Sequence, residues 1–186
     1  MNLISPGRNL VLIGLMGSGK TTVGRHLATR LGRDFVDTDQ VVEERTGLSV
    51  TELFGDSERT FRAEEAAAIR HVSALRGQVI AVGGGAVLDP MNVTHLRSTG
   101  DLILLDAMAA VLANRVGDTS SRPLLAAFDD TTARLAQLQD ERADAYRTAA
   151  SYVVDTNGKA PDEVATEILA WAETRFGLIN RDEVGR

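Results

Sequence analysis

The octapeptide Gly14-Leu15-Met16-Gly17-Ser18-Gly19-Lys20-Thr21 constrains this chain more than any other stretch. It has the spacing G-x-x-x-x-G-K-[ST], in which glycines let backbone N–H groups turn inward and approach phosphate oxygens with no Cβ in the way. Its flanks agree. Asn9-Leu10-Val11-Leu12-Ile13 is a short apolar run that predicts a buried strand. Thr22 to Leu31 places Val23, Leu27 and Leu31 four residues apart, keeps Arg25 and Arg30 off that line, and is followed by Gly32. This predicts a helix with one apolar stripe and a glycine stop. Strand, glycine loop and helix N-terminus in that order make a cradle for nucleotide phosphates, to which the helix adds partial positive charge. In such a cradle Lys20 meets the β- and γ-phosphates and the Thr21 hydroxyl ligates Mg²⁺. Only one other lysine, Lys159, occurs among 20 Lys and Arg residues. Lys20 therefore stands where a compact point charge suits a phosphate.

Composition narrows the classes of function. A hydrophobic fraction of 44% and a charged fraction of 25% are those of an ordinary globular protein. At 186 residues the chain is expected to form one domain over 1–186. Net charge is −6 and no cluster of five basic residues occurs, which argues against a nucleic-acid partner. There is no cysteine, hence no disulfide, thiol nucleophile or Cys-based metal site. The start carries no signal-type pattern and no apolar run reaches the length of a membrane span. The expectation is a cytoplasmic protein with no membrane partner.

Further along, strand and helix signals alternate, which predicts a parallel sheet with helices on both faces. Strands are expected at Asp34–Asp37, Gln78–Val82, Leu102–Leu105 and Tyr152–Asp155. Helices are expected over Val41–Arg45, from a cap at Asp56 or Ser57 to Arg76, and over Pro90–Arg97, Ala133–Tyr146 and Pro161–Glu173, with an Ala-rich segment at Ala107–Asn114. Gly117 to Ser121 is a polar break, and a polar tail runs from about 177 to 186. Five parallel strands with a phosphate loop after the first make a nucleoside-triphosphate fold, whose site lies beyond the carboxyl ends of the strands.

Candidate residues follow from that rule. Asp37 and Asp39 bracket the end of the second strand; two carboxylates there suit a metal shell and an acceptor hydroxyl, or else a helix cap and a solvated turn. Arg62 shares a helical face with Glu65 and Ile69, and Arg142 continues a stripe through Leu135 and Leu138. An inward arginine is costly without an anion. The pair can grip a substrate carboxylate in bidentate fashion, or Arg62 can form a structural ion pair with Glu65. Gly83-Gly84-Gly85 allows close backbone approach to a ligand or a neighbouring loop. Arg122, in Ser121-Arg122-Pro123-Leu124-Leu125, can act as a lid arginine over the phosphates or be a solvated surface residue. His26, His71 and His95 share no ligand spacing.

Taken in chain order, G-L-M-G-S-G-K-T-T at 14–22, F-V-D-T-D at 35–39, F-R at 61–62, G-G-G-A at 83–86, S-R-P-L-L at 121–125 and E-R-A-D-A-Y at 141–146 resemble the shikimate kinase family over about residues 8 to 175. The resemblance implies a three-layer α/β/α fold with a five-stranded parallel sheet, of the phosphate-loop, nucleoside monophosphate kinase-like type with a mobile lid. It implies transfer of the γ-phosphoryl group of ATP to the 3-hydroxyl of shikimate, with Mg²⁺. Gly17, Ser18, Gly19, Lys20, Thr21 and Thr22 would hold the phosphates, Thr21 and, through water, Asp37 the metal. Asp39 would hydrogen-bond the shikimate hydroxyls and serve as candidate proton acceptor. Arg62, Arg142 and the backbone at Gly83, Gly84 and Gly85 would hold the carboxylate, with Glu65 positioning Arg62. Arg122 would descend with the lid, while Arg115 and the loop ending at Pro161 match adenine-contacting positions. The shikimate-binding region would span about 37–66 and the lid about 115–128, in a monomer. A gluconate kinase, a nucleoside monophosphate kinase and an ATP-binding regulator without catalysis are the alternatives.

Overall fold

A computed structural model describes residues 7–117, 123–126 and 128–175. β1 (Asn9–Ile13) runs into the phosphate loop and α1 (Lys20–Leu31); β2 (Phe35–Asp37) follows, then α2 (Thr38–Thr46), α3 (Val50–Asp56) and α4 (Glu58–Ala74). β3 (Val79–Ala81) leads through a 3-10 turn (Ala86–Leu88) to α5 (Pro90–Thr99) and β4 (Gly100–Asp106). Then come α6 (Ala109–Val116), α7 (Pro123–Ala126), α8 (Thr131–Ala149), β5 (Tyr152–Asp155) and α9 (Pro161–Arg175).

The five strands form one sheet in the order β2-β3-β1-β4-β5, every pairing parallel. Every residue of β1 is buried, as expected of a central strand covered on both faces. Alternation then divides the core. Val11, Ile13, Ile80, Leu102 and Leu104 face one way and pack with Ile69, Val72, Leu96, Leu135 and Leu138. Leu10, Leu12, Val79, Ile103 and Leu105 face the other and pack with Val23, Leu27, Val164 and Ile168. This is the expected three-layer α/β/α arrangement. Burial of each such side chain contributes on the order of 1.5–3 kcal/mol. A smaller cluster of Val42, Leu53, Phe61 and Ala68 joins α2, α3 and α4 at one end.

Some boundaries differ from the sequence expectation, each for a local reason. α3 was not anticipated as a separate helix. Ser49 caps it, accepting from the Glu52 N–H while the Glu52 carboxylate accepts from the Ser49 N–H. Ser57 rather than Asp56 caps α4. α2 begins at Thr38, three residues early, because Asp37 caps it by accepting from the Asp39 N–H at 3.1 Å. α8 is longer than expected at both ends, with Asp130 as its cap. β1 lies between β3 and β4, so strand order reverses beside it, and the phosphate loop leaves β1 at the crevice this reversal creates.

Candidate active site

Backbone sterics build the nucleotide end. Gly14, Gly17 and Gly19 adopt φ of 140°, 79° and 94°, which side chains of L-residues rarely accept. A Cβ on Gly14 would also lie 2.5 Å from the Leu105 carbonyl oxygen, and one on Gly17 would lie 2.6 Å from that of Leu112. The loop is thus pressed onto β4 and α6. α1 has no acidic residue in its first turn to neutralise that end. Lys20 Nζ donates to the carbonyl oxygens of Gly14 and Leu15 at 2.8 and 3.0 Å, curled across the loop it would share with a phosphate.

Thr21 donates its hydroxyl to Asp37 Oδ2 at 3.0 Å. Asp37 therefore caps a helix, one of the two readings the sequence offered, and also meets the loop threonine. Asp39 lies in the first turn of α2 rather than in extended backbone, yet both carboxylates line the same cavity of about 550 Å³.

At the far wall Arg62 donates to Glu65 Oε2 at 2.7 Å and to Glu58 Oε1 at 3.3 Å, its guanidinium 5.1 Å from the Phe61 ring centroid and 5.8 Å from that of Phe54. The two members of the inner pair respond differently. Burial raises the Glu65 carboxyl above its ordinary pKa by more than Arg62 and Arg142 lower it. Burial opposes the Arg62 charge too, but Glu65 and Glu58 hold its pKa above the ordinary value. The difference follows exposure: Glu65 is 1% exposed, whereas 29% of the Arg62 side chain is accessible.

Arg142 is different. It is 6% exposed, donates from Nη1 to the Gly84 carbonyl oxygen at 3.0 Å, and lies against the Tyr146 hydroxyl. No carboxylate of the described residues lies within ion-pair distance of it.

At the opposite end Arg115 Nη1 and Nη2 grip Thr156, at 2.9 Å to its hydroxyl and 2.7 Å to its carbonyl oxygen. Pro161 and Lys159 stand beside them in the cavity wall, Lys159 held to Glu167 at 2.6 Å.

The structure thus brings Gly17, Ser18, Gly19, Lys20, Thr21, Thr22, Asp37, Asp39, Arg62, Gly83, Gly84, Gly85, Arg115, Arg142 and Pro161 to one cavity. Arg122 lies outside the described residues, as does part of the expected lid. Sequence reasoning missed Val50, Phe54 and Thr156 as wall residues and covered Lys159 only as part of the loop ending at Pro161. The Ser49-x-x-Glu52 signature would have revealed the helix carrying Val50 and Phe54. Thr156 and Lys159 directly follow β5, where the carboxyl-end rule points.

A phosphate loop that opens into the same cavity as a buried guanidinium with no carboxylate of the described residues in ion-pair contact is the arrangement expected of a phosphate-loop kinase rather than a simple nucleotide hydrolase. The sequence model of shikimate kinase matches residues 16–173. Shikimate kinases of Caldanaerobacter subterraneus subsp. tengcongensis and Geobacter sulfurreducens are 45% and 43% identical, over 87% and 92% of this chain and 94% of each relative. The solved shikimate kinase from Acinetobacter baumannii in complex with shikimate superposes with a TM-score of 0.86 at 34% identity, covering 90% of this chain and 94% of that one. The chain belongs to the shikimate kinase family. A gluconokinase from Sinorhizobium meliloti, at 18% identity and TM-score 0.60, shares the fold alone.

Proposed function

We propose that the protein transfers the γ-phosphoryl group of ATP to the 3-hydroxyl of shikimate, giving shikimate 3-phosphate and ADP. The observation that carries this reading is Arg142: a buried cation with a carbonyl but no carboxylate partner among the described residues, facing the cavity that the phosphate loop opens into. Such a group calls for an anion. A small acid whose carboxylate sits between Arg142 and Arg62 directs its ring back towards Asp39 and the phosphates.

The loop amides of Gly17, Ser18 and Gly19, with Lys20 and Thr22, hold the triphosphate, while Arg115 and Pro161 flank the adenine. Asp39 accepts a hydrogen bond from the acceptor hydroxyl and takes its proton as that oxygen attacks the γ-phosphorus in line and the bond to the β-phosphate oxygen breaks. Arg122 neutralises charge on the phosphates from the lid. The Glu65 and Glu58 carboxylates occupy two donors of Arg62 and leave the rest of its fork for substrate.

A magnesium ion suits the donor set. The Thr21 hydroxyl and Asp37 carboxylate are hard oxygen donors 3.0 Å apart. The described residues contain no group of three or more His, Cys, Asp or Glu that would form an all-protein cage. That pattern fits a cation that completes its shell from phosphate and water, where it supplies charge neutralisation to the transferred group. No described helix is long and apolar enough to cross a membrane. We place the protein in the cytoplasm as a monomer without a nucleic-acid partner.

The test is a coupled assay of ADP release with ATP and Mg²⁺ plus shikimate, gluconate, AMP or no acceptor. Release that requires shikimate is expected. Release with gluconate or AMP instead, or none with any acceptor, overturns the reading.

A further inference from the structure

We infer that Tyr146 is a positioning residue for shikimate, acting through the Gly84 carbonyl that it shares with Arg142. This rests on the proposed function and adds a residue to it.

Arg142 and Tyr146 stand one turn apart on the inward stripe of α8, which also carries Leu135, Leu138 and Ala149. Both donate to the same acceptor: Arg142 Nη1 to Gly84 O at 3.0 Å, and the Tyr146 hydroxyl to Gly84 O at 2.5 Å. The glycine loop around that oxygen is fixed at other points. The Gly83 N–H donates to Thr38 Oγ1 at 3.2 Å, the Gly83 carbonyl accepts from the Ala86 N–H at 3.0 Å, and the Gly85 carbonyl accepts from the Leu88 N–H at 3.0 Å. Gly84 O is thus the one carbonyl of the triplet tied across the cavity to α8 rather than to its own turn.

Two features make the phenol, and not Arg142 alone, the anchor of this contact. Tyr146 is 5% exposed, and its hydroxyl finds its partners in Gly84 O, to which it donates, and the neighbouring Arg142 guanidinium. Burial pushes the phenol up to about 12, which keeps it a neutral donor throughout the range in which a kinase works. The second feature is behind the ring. Tyr146 also lines a separate cavity of about 260 Å³ between α8 and the ends of β4 and α6, so packing on that side leaves room for the ring to shift. The hydrogen bond sets where the ring rests.

With one lone pair of Gly84 O taken by tyrosine, the carbonyl stays pointed at α8 and Arg142 Nη1 is held against it. The remaining donors of the guanidinium are then aimed at the cavity in one orientation. Loss of the phenol hydroxyl leaves Arg142 as the sole tether. The fork and the glycine loop can then turn together, and the substrate carboxylate meets a mobile partner.

The experiment is Tyr146→Phe in the full chain, with KM for shikimate and for ATP, kcat, shikimate binding by calorimetry, and thermal unfolding. A rise of about two- to tenfold in both KM and Kd for shikimate is expected, the range of one net hydrogen bond. KM for ATP should stay unchanged. In a double-mutant cycle with Arg142→Lys the two losses should be less than additive, because both act through one carbonyl. Lowered thermal stability with unchanged shikimate binding, or an equal rise in KM for both substrates, overturns the inference and makes Tyr146 a packing residue. Wild-type protein that neither binds nor phosphorylates shikimate would instead overturn the proposed function beneath it.

Discussion

The three glycines after β3 are chemically identical yet should respond to alanine in three different ways. None has positive φ, so backbone strain plays no part and the outcome rests on what a methyl group would touch. At Gly83 an added Cβ lies 2.4 Å from Glu65 Oε1 and 3.0 Å from Asp39 Oδ1. At Gly85 it lies 2.5–2.8 Å from the Arg62 guanidinium. At Gly84 nothing is nearer than 3.5 Å, an ordinary contact. Restoring normal separation requires a shift of about 1 Å at the first two positions. Glu65 is buried and cannot swing out, so Gly83→Ala should cost about 1–3 kcal/mol of stability, the usual range for overpacking. For a domain of this size that lowers Tm by about 2–4 °C per kcal/mol. It also strains the 2.7 Å contact to Arg62, a charge-assisted bond of the kind worth about 1.5–3 kcal/mol. Arg62 is partly exposed and can move aside, so Gly85→Ala should spare stability but misplace the fork. Steady-state kinetics with each substrate varied, paired with thermal melts, separates these effects. KM for shikimate should rise about tenfold or more in Gly83→Ala and Gly85→Ala, with KM for ATP within about twofold. Gly84→Ala should resemble wild type in both measurements. If Gly84→Ala is as damaging as its neighbours, or if Gly83→Ala leaves shikimate kinetics untouched, the reasoning from contact distances fails.

Three further variants probe the remaining parts of the site. Asp39→Asn should lower kcat by about 10²-fold or more, as loss of a proton acceptor does, while ATP still binds; wild-type turnover would remove Asp39 from the chemistry. Arg142→Lys keeps the charge but loses the fork, so KM for shikimate should rise roughly 10–100-fold with ATP little affected, and equal loss for both substrates would remove the clamp. Glu65 has its pKa raised by burial, so protonation favours the folded state: its contribution is complete below the ordinary value of 4.5 and is lost as pH rises through the folded-state value. Urea denaturation between about pH 4 and pH 8 should therefore find wild type losing stability relative to Glu65→Gln as pH rises, and a flat or reversed difference would refute this.

What could be read from the sequence was whatever rests on local rules. The phosphate loop announces itself because its glycines answer to φ angles and close approach, both properties of single positions. Strands β1 and β4 are apolar runs buried on both faces, and the inward placement of Arg62, Glu65 and Arg142 followed from helical spacing. The dual role of Asp37 was harder. Its cap is local, but the contact to Thr21 Oγ1 joins residues 16 positions apart that meet only because β1 and β2 share a sheet. Thr156 stayed hidden for the same reason: nothing near it in sequence signals that Arg115, 41 residues earlier, will grip both of its oxygens. α3 was missed by oversight of its capping box, a signal that was present.

The two arginines of the acceptor end look alike in sequence, each on an inward stripe, and the fold then separates them. Arg62 is ion-paired to Glu65 and Glu58, while Arg142 contacts the Gly84 carbonyl and has no carboxylate of the described residues within ion-pair distance. The balance of the whole cavity points the same way. Lys20, Arg62, Arg115, Arg142 and Lys159 line it against Asp37, Asp39 and Glu65, five cations to three anions among the described residues, in a chain whose net charge is −6. Arg62 is paired with Glu65 and Glu58 and Lys159 with Glu167, so these cations are partly offset, and the low-dielectric walls of the concave region focus the field of the rest. Such a lining suits two anionic ligands held side by side, which would repel each other in water. It also explains why the cations are spread from Arg115 to Arg142 rather than clustered. On the proposed function each end holds its own anion, with Lys20 and the lid's Arg122 where the phosphoryl group passes from one to the other.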